Sequence, residues 1–71
     1  MENDELLDKD AACKLIGGSR PINAATLYRG VKAGIYPRPF KVAPNVSRWR
    51  RSELLAALEA RLAERDAAAA A

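Results

Sequence analysis

The sequence lacks the residue types on which most catalytic and metal sites depend. It has no histidine and a single cysteine, Cys13, among its 71 residues. Zinc sites of cysteine and histidine, histidine-based acid–base catalysis and internal disulfide bonds are therefore excluded. No nucleophile, base and metal ligands converge elsewhere, so we expect no enzymatic activity and no cofactor. Cys13 has no activating partner and is expected to be a small buried residue.

Long apolar runs are missing as well. No stretch approaches the ~20 apolar residues that a membrane-spanning helix needs. The segment Met1–Glu5 is acidic where a signal peptide would be basic. We therefore expect a cytoplasmic protein with no membrane partner. At this length the chain forms one small domain that buries only ~60% of its unfolded surface, which leaves no deep cavity for a small-molecule ligand.

Acidic residues are absent from the whole middle of the chain. The net charge is only +3, yet residues 11–52 contain no Asp or Glu, and acids outnumber bases on either side. The bases of this middle segment are Lys14, Arg20, Arg29, Lys32, Arg38, Lys41, Arg48, Arg50 and Arg51. A domain this small must expose most of them near one another, which favours a polyanion-binding surface over a merely solvated basic face.

The apolar pattern predicts a first short helix. Leu6–Leu7 followed by Asp8 is typical of a helix start, because the Asp8 carboxylate can accept bonds from the free N–H groups of the first turn. The helix is expected to run from about Lys9 to Ile16 and to end at Gly17–Gly18, followed by a turn over Ser19–Ile22.

A second helix is predicted from Ala24 to Ala33, with Asn23 as its cap and Gly34 at its end. Gly30 would permit the close approach of another element. The expected buried face consists of Ala24, Leu27, Tyr28 and Val31, and a second face of Ala25, Arg29 and Lys32. Two short helices joined by a glycine-containing turn indicate a helix-turn-helix, whose second helix enters the major groove of DNA.

The next segment predicts a β-hairpin. Pro37 and Pro39 exclude a helix. The expected strands are Phe40–Val42 and Val46–Trp49, with turn residues at 43–45 between them. Val46 and Trp49 cannot share a face of a regular strand, so a bulge would be needed to bring them together.

A third helix is predicted from Arg51 to about Asp66. It carries Leu54, Leu55, Leu58 and Leu62 at helical spacing, which we interpret first as core packing. A core this small cannot cover five turns of helix, so the segment around Leu62 is expected to extend past the body and to meet another subunit. Residues 67–71 form an alanine-rich tail.

Several segments together carry a resemblance to a known family. They are Ala25-Thr26-Leu27-Tyr28-Arg29, Gly34, Tyr36-Pro37-Arg38-Pro39-Phe40-Lys41-Val42, Arg48-Trp49 and Glu53-Leu54. In this order they resemble the AlpA-type regulators of phages and mobile elements, which are akin to excisionases. The resemblance implies a mostly α fold with a small β-hairpin, a MerR-like winged helix-turn-helix of three helices plus wing. It covers most of the expected DNA-binding domain, residues 6–66.

The same resemblance implies a function. The family contains transcription regulators and recombination directionality factors, which bind beside an attachment site, bend the DNA and favour excision by a tyrosine recombinase. Residues 24–32 would be the recognition helix and residues 40–49 the wing, with Trp49 seating the wing on the body. The connection Gly17–Ile22 is longer than the family's tight turn, which makes Arg20 an additional candidate phosphate contact. The corresponding location is the bacterial cytoplasm, in association with the nucleoid.

The candidate DNA-binding residues have distinct expected roles. Arg29 and Lys32 are the best candidates for groove contact, since Arg grips guanine with two bonds and Lys reaches a phosphate or a guanine. Ala25 and Thr26 are placed to touch a thymine methyl group, whereas Asn23 is expected to act mainly as a cap. The Tyr28 ring is expected to pack, with its hydroxyl on a phosphate. Arg38, Lys41 and Arg48 are expected to contact the DNA backbone, which positions the domain without reading sequence. Arg50 and Arg51, at a helix start where the dipole disfavours them, hint at a further phosphate.

The size of the module bears on its stoichiometry. A single small module buries ~600–1,000 Å² on DNA, so we expect a homo-oligomer that binds cooperatively to repeated sites. Two alternatives remain at this stage. One is a protein-interaction module whose basic face binds an acidic partner, although such a module needs no basic hairpin. The other is RNA binding, which the shortage of exposed aromatic residues disfavours.

Overall fold

The computed structural model describes residues 4–70. Its elements in chain order are β1 (Leu6–Leu7), α1 (Lys9–Gly17), α2 (Ala24–Lys32), β2 (Phe40–Ala43), β3 (Val46–Arg50) and α3 (Arg51–Ala70). The strands form one antiparallel sheet in the order β1-β3-β2. The protein is thus a small mixed α/β domain with three helices, and this arrangement is compatible with the expected winged helix-turn-helix.

Both predicted helix caps are confirmed. The Asp8 side chain accepts a hydrogen bond from the backbone N–H of Ala11, and the Asn23 side chain accepts one from Thr26, each at 2.8 Å. These bonds satisfy N–H groups that have no partner within the first turn of a helix. The predicted ends lie within one residue of those observed, since α1 includes Gly17 and α2 ends at Lys32.

The strand β1 was not predicted. Leu6–Leu7, expected to lead into a helix, instead pair antiparallel with β3, Leu6 opposite Arg50 and Leu7 opposite Trp49. The strand is two residues long and exists only through its pairing with β3, which is distant in the sequence, so the local pattern does not reveal it. Leu7 is buried by this pairing, whereas Leu6 stays 47% exposed.

The predicted hairpin is confirmed, with each strand one residue longer than expected. Its irregularity lies in β2: the register shifts between Lys41 and Ala43, which leaves Val42 without a partner on β3. Asn45 adopts a positive φ of 64° in the turn. Pro44 cannot adopt a positive φ, which excludes the primed turns that two-residue hairpin loops favour. The turn at Pro44–Asn45 therefore lacks the twist that a primed turn would supply, and the bulge at Val42 adds local twist to the hairpin instead.

The core is small and lies between the sheet and the helices. Its buried side chains are Leu7, Ala12, Cys13, Leu27, Trp49 and Leu54. Trp49 is 1% exposed and donates its indole N–H to the Pro37 carbonyl at 2.9 Å. The expected anchoring role of Trp49 is therefore confirmed. Burial raises the pKa of the Cys13 thiol, and the nearby Asp10 carboxylate adds to this rise, which disfavours the reactive thiolate.

Gly30 allows a close approach, as expected. It lies on the buried face of α2, and a Cβ atom added there would overlap the Tyr36 ring. The Gly30 carbonyl also accepts hydrogen bonds from the backbone N–H groups of Ile35 at 2.8 Å and Tyr36 at 3.2 Å. The segment after α2 is thereby folded back onto the helix.

The last helix is longer and less buried than expected. It continues to Ala70, beyond the predicted end at about Asp66 and through most of the expected tail, while Ala71 lies outside the described residues. Leu54 of the leucine stripe is fully buried and Leu58 is half-buried, whereas Leu55 is 36% exposed, so interpreting the stripe as core packing was wrong for Leu55. Leu62 is 44% exposed, and residues 59–69 are exposed throughout. The second half of α3 therefore projects from the body, as the sequence indicated for Leu62.

No helix within residues 4–70 combines the length and the apolar character that crossing a membrane would require.

Candidate nucleic-acid interface

One face of α2 presents an uninterrupted exposed row of side chains. The row, called here the α2 stripe, consists of Ala25, Tyr28, Arg29 and Lys32. The opposite face buries Leu27 and Gly30, which fixes the orientation of the helix on the body. Thr26 flanks the stripe, half-buried, and its hydroxyl accepts a hydrogen bond from the Arg29 guanidinium at 3.4 Å. All the candidate residues of α2 thus lie on or beside one accessible surface.

Tyr28 differs from its expected placement. It was assigned to the buried face of α2, but it is 45% exposed and belongs to the α2 stripe. Its ring packs beside Trp49, with 6.0 Å between the ring centroids and 52° between the planes. Leu27 and Trp49, both almost fully buried, already fill the interior next to this helix. Tyr28 therefore packs only partly against the core and presents the rest of its ring to solvent.

The connection between α1 and α2 is held against α1. The Ile22 backbone N–H donates to the Cys13 carbonyl at 3.3 Å, and a Cβ at Gly17 would come within 2.7 Å of the Ile22 nitrogen. Arg20 lies exposed on this connection. Asn23 is also exposed, but its side-chain oxygen is occupied as the cap of α2. The interpretation of Asn23 as a cap is confirmed, and its role as a base reader is correspondingly reduced.

The three candidate basic residues near the hairpin have different surroundings. Arg38 and Lys41 are exposed. Arg48 is half-buried, lies opposite Phe40 in the sheet and donates from its guanidinium to the Ser47 carbonyl at 2.8 Å. A donor already engaged by backbone has less to offer a ligand. Arg38 and Lys41 are therefore the freer candidates.

Arg50 and Arg51 pair with acidic residues near the start of the described chain. The Asp4 carboxylate accepts from the Arg50 guanidinium at 2.8 Å, from the Ser52 backbone N–H at 3.0 Å and from the Ser52 hydroxyl at 2.8 Å. Arg51 lies 3.8 Å from a Glu5 carboxylate oxygen. Asp4 thus caps α3 from a distant part of the sequence. The chain's own carboxylates thus offset the unfavourable placement of these arginines at a helix start, and their contact with a phosphate stays a prediction.

The bonds to Asp4 also change its acidity. The Ser52 backbone N–H, then its hydroxyl and then Arg50 lower the pKa of Asp4, since all three stabilise the ionised carboxylate. The other ion pairs within residues 4–70 join Arg61 to Glu64 and Arg65 to Asp66. None of the pairs among these residues involves the α2 stripe or Lys41. Within residues 4–70, no carboxylate therefore neutralises the positive charge of the stripe.

Acidic residues do border this surface at one point. A cleft of about 350 Å³ is lined by Asp8 and Asp10 of the α1 start, by Tyr28 and by Arg48. The cleft separates the α2 stripe from the hairpin. A polyanion that touched both would pass over these two carboxylates, with Arg48 in the same cleft to offset their charge.

Sequence reasoning missed one further feature beside α2. Ile35 and Tyr36 form, with Gly30 and Ala33, the apolar part of a groove of about 490 Å³ that Arg29 and Lys32 border. Ile35 remains 36% exposed. The one sequence feature that indicates this groove is Gly30, which permits a close approach. The groove itself forms because the following segment folds back onto Gly30 through hydrogen bonds, and the sequence pattern does not predict those bonds.

The remaining observations concern other kinds of site and other proteins. Within the described chain, residues 4–70, no group of three or more potential metal ligands comes together. No known protein family, curated protein or solved structure was found to match the chain. The resemblance to AlpA-type regulators thus depends on the quoted residues alone.

Proposed function

We propose that this protein binds double-stranded DNA sequence-specifically and acts as an excisionase, the recombination directionality factor of an integrated mobile element. In this proposal it binds cooperatively as a homo-oligomer, bends the DNA near the attachment site and assists a tyrosine recombinase. The principal support is the α2 stripe, an exposed row on a helix whose other face is buried, with two basic residues that form no ion pair within residues 4–70. The surrounding segment 11–52 contains no acidic residue.

The dimensions of α2 fit this role. An α-helix with side chains is about 10–12 Å across, and the major groove of B-DNA is about 12 Å wide. The nine residues of α2 extend about 14 Å, enough for contact with a few base pairs. Arg29 lies in the middle of the stripe, where a bidentate contact with guanine is the most informative interaction available. Ala25 and Thr26, nearer the helix start, suit apolar contact with a thymine methyl group.

The basic residues outside α2 would position the domain on the DNA rather than read its sequence. The exposed Arg38 and Lys41 and the exposed Arg20 suit phosphate contacts, since Lys and Arg reach the backbone without base specificity. Each such contact contributes to the salt dependence of binding. The logarithm of the binding constant falls with the logarithm of the salt concentration, with a slope of about 0.9 per phosphate contacted. In this proposal the β2–β3 hairpin is the wing of a winged helix-turn-helix.

A pair of single substitutions tests the division between reading and positioning. Arg29→Ala is expected to weaken binding to a duplex selected from a random pool by about 1–3 kcal/mol, and to weaken binding to random duplex much less. Lys41→Ala is expected to weaken both equally and to lower the salt slope by about 0.9. The measurement is fluorescence anisotropy over a range of salt concentrations. Equal losses for Arg29→Ala would remove this residue from the base-reading role.

Excision and transcription control are separated by where the protein binds. An AlpA-type activator or repressor of mobile-element genes would use the same surface, and one protein can perform both roles. Crosslinking followed by sequencing maps its sites in the host genome. Occupancy beside an integrase gene or attachment site supports the excisionase proposal, whereas occupancy confined to distant promoters supports a transcription regulator.

A protein-interaction module is the competing class. The observation that favours it is the projecting half of α3, where Leu62 is exposed among charged residues. Under that alternative, the purified protein would fail to bind any duplex from a random pool at low salt. Binding to duplex that weakens steeply as salt is added would oppose it.

A further inference from the structure

The tip of the β2–β3 hairpin is apolar and exposed. Phe40 and Val42 are 41% and 47% exposed, and Ala43 and Pro44 after them are exposed too. Every residue of β2 is exposed, so this strand contributes nothing to the core. The one charged residue of the strand is Lys41. Pro44 and Asn45 are ordinary turn residues, but the turn does not account for the exposed valine at position 42.

The conformation of the tip does not depend on the side chain of Val42. Asn45 supplies the positive φ of the turn, and the ladder on either side is closed by Ala43 opposite Val46 and Lys41 opposite Ser47. Val42 is the bulged residue and has no partner in the ladder. Bulges commonly redirect a side chain next to a functional site. Val42 therefore exposes apolar surface that neither the turn nor the core requires, and Pro44, which sets the turn, lies exposed beside it.

The hairpin is long enough to bring this tip into a DNA groove. Four residues of strand extend about 13 Å, and the minor groove is about 7.5 Å deep. The groove is too narrow for a two-stranded ribbon unless it is opened. Apolar side chains that enter a base step from the minor groove open it by unstacking the step and kinking the duplex by about 20–90°. Proline is among the residues that act in this way.

We infer that Val42 and Pro44 form a wedge that enters a base step from the minor groove and kinks the DNA. This inference rests on the proposed DNA-binding function and assigns the bending to particular side chains. Lys41, between the wedge and the body, would hold the adjacent phosphate. A pyrimidine–purine step is the expected target, because such steps are the most easily unstacked.

The test uses the full-length chain and short duplexes recovered by binding from a random pool. The duplexes carry 2-aminopurine at pyrimidine–purine steps and a fluorophore at each end. Wild-type protein is expected to raise 2-aminopurine emission at one step and to shorten the end-to-end distance. Val42→Thr, which keeps the β-branched shape but adds a hydroxyl, is expected to lose most of both signals. Pro44→Ser provides a second, independent variant.

The matched control is Leu6→Thr, because Leu6 has the same 47% exposure on the opposite edge of the sheet. It is expected to leave both signals unchanged, and circular dichroism verifies the folding of all variants. Wild-type protein that binds duplex without unstacking a step or bending it would overturn the wedge but leave DNA binding intact. Unchanged signals in Val42→Thr and Pro44→Ser would do the same. Wild-type protein that binds no duplex would overturn both proposals.

Discussion

The body of the domain and its two projections are built in opposite ways. Here the body means β1, β3, α1, α2 and the first turns of α3, and the projections are the outer part of the hairpin (residues 40–45) and the second half of α3 (residues 59–70). The buried core side chains all lie in the body, whereas every residue of β2 and every residue from 59 to 69 of α3 is exposed. The projections nevertheless retain large apolar residues, among them Val42 and Leu62.

This difference separates stability from contact. Apolar burial stabilises the body at about 25 cal/mol per Å², and the projections gain almost none of it. Their order depends on local bonds instead, a ladder in the hairpin and helical hydrogen bonds in α3. Substitutions in the body should therefore change the free energy of unfolding, and substitutions in the projections should change binding.

The largest effect is expected for Trp49→Ala, which removes the largest buried side chain. The loss should be about 3–5 kcal/mol, comparable to the whole stability of a domain of this size. Urea unfolding followed by far-ultraviolet circular dichroism measures it. The matched variant is Phe40→Ala, which removes an exposed aromatic from the hairpin and should change stability by less than about 0.5 kcal/mol. Similar losses for both would contradict the division.

A smaller effect is expected for Gly30→Ala. The added methyl group would overlap the Tyr36 ring, so the segment after α2 must shift at a cost of about 1–3 kcal/mol. The same urea experiment applies. In a Tyr36→Ala background the overlap is gone, and the cost of Gly30→Ala should largely disappear. A cost that persists in that background would point to the backbone instead of the ring.

The Asp4 cap is expected to make stability depend on pH in the acid range. The pKa of Asp4 is lowered in the folded state, so its contribution is complete above the unfolded pKa, 3.8, and is lost as pH falls through the folded pKa. The urea midpoint of wild type should exceed that of Asp4→Asn at neutral pH, and the gap should close below pH 3.8. Glu5→Gln is the control, because the exposed ion pair between Glu5 and Arg51, at 3.8 Å, contributes little to stability. A gap that is constant with pH would argue against the ionised cap.

The smallest effect on stability is expected for Leu62→Ser. Leu62 is 44% exposed, and the free energy of unfolding should change by less than about 0.5 kcal/mol. Leu54→Ala, at the fully buried position of the same helix, should cost about 2–5 kcal/mol. Leu62→Ser is also expected to reduce cooperativity on a duplex with repeated sites, measured by gel shift. Unchanged cooperativity would exclude Leu62 from contact between subunits.

The sequence predicted the elements that depend on nearby residues. Asp8 and Asn23 form caps with residues three positions away, so their roles are visible in the local pattern. β1 and the Asp4 cap were missed because each bonds with residues distant in the sequence, Trp49 for one and Ser52 for the other. Secondary-structure patterns carry no information about such distant partners.

The candidate site shows the same limit. Arg29 and Lys32 were placed on an exposed face by helical spacing, and they lie there. Tyr28 was assigned to the wrong face, because its spacing fits the apolar row and only the packing of Leu27 and Trp49 excludes it from the interior. Arg48 turns to the Ser47 carbonyl, a bond that no spacing rule predicts. Contact of any of these residues with DNA stays a prediction.

Trp49 is the only tryptophan in the sequence, and its ring lies 6.0 Å from that of Tyr28. Excitation energy passes between tyrosine and tryptophan rings at such a separation, so the emission of Trp49 depends on the state of Tyr28. Unfolding would expose the indole to water and shift its emission to longer wavelength, whereas a ligand on Tyr28 would change the intensity of a still-buried indole. The protein therefore contains a natural fluorophore that distinguishes the loss of its fold from occupancy of the α2 stripe.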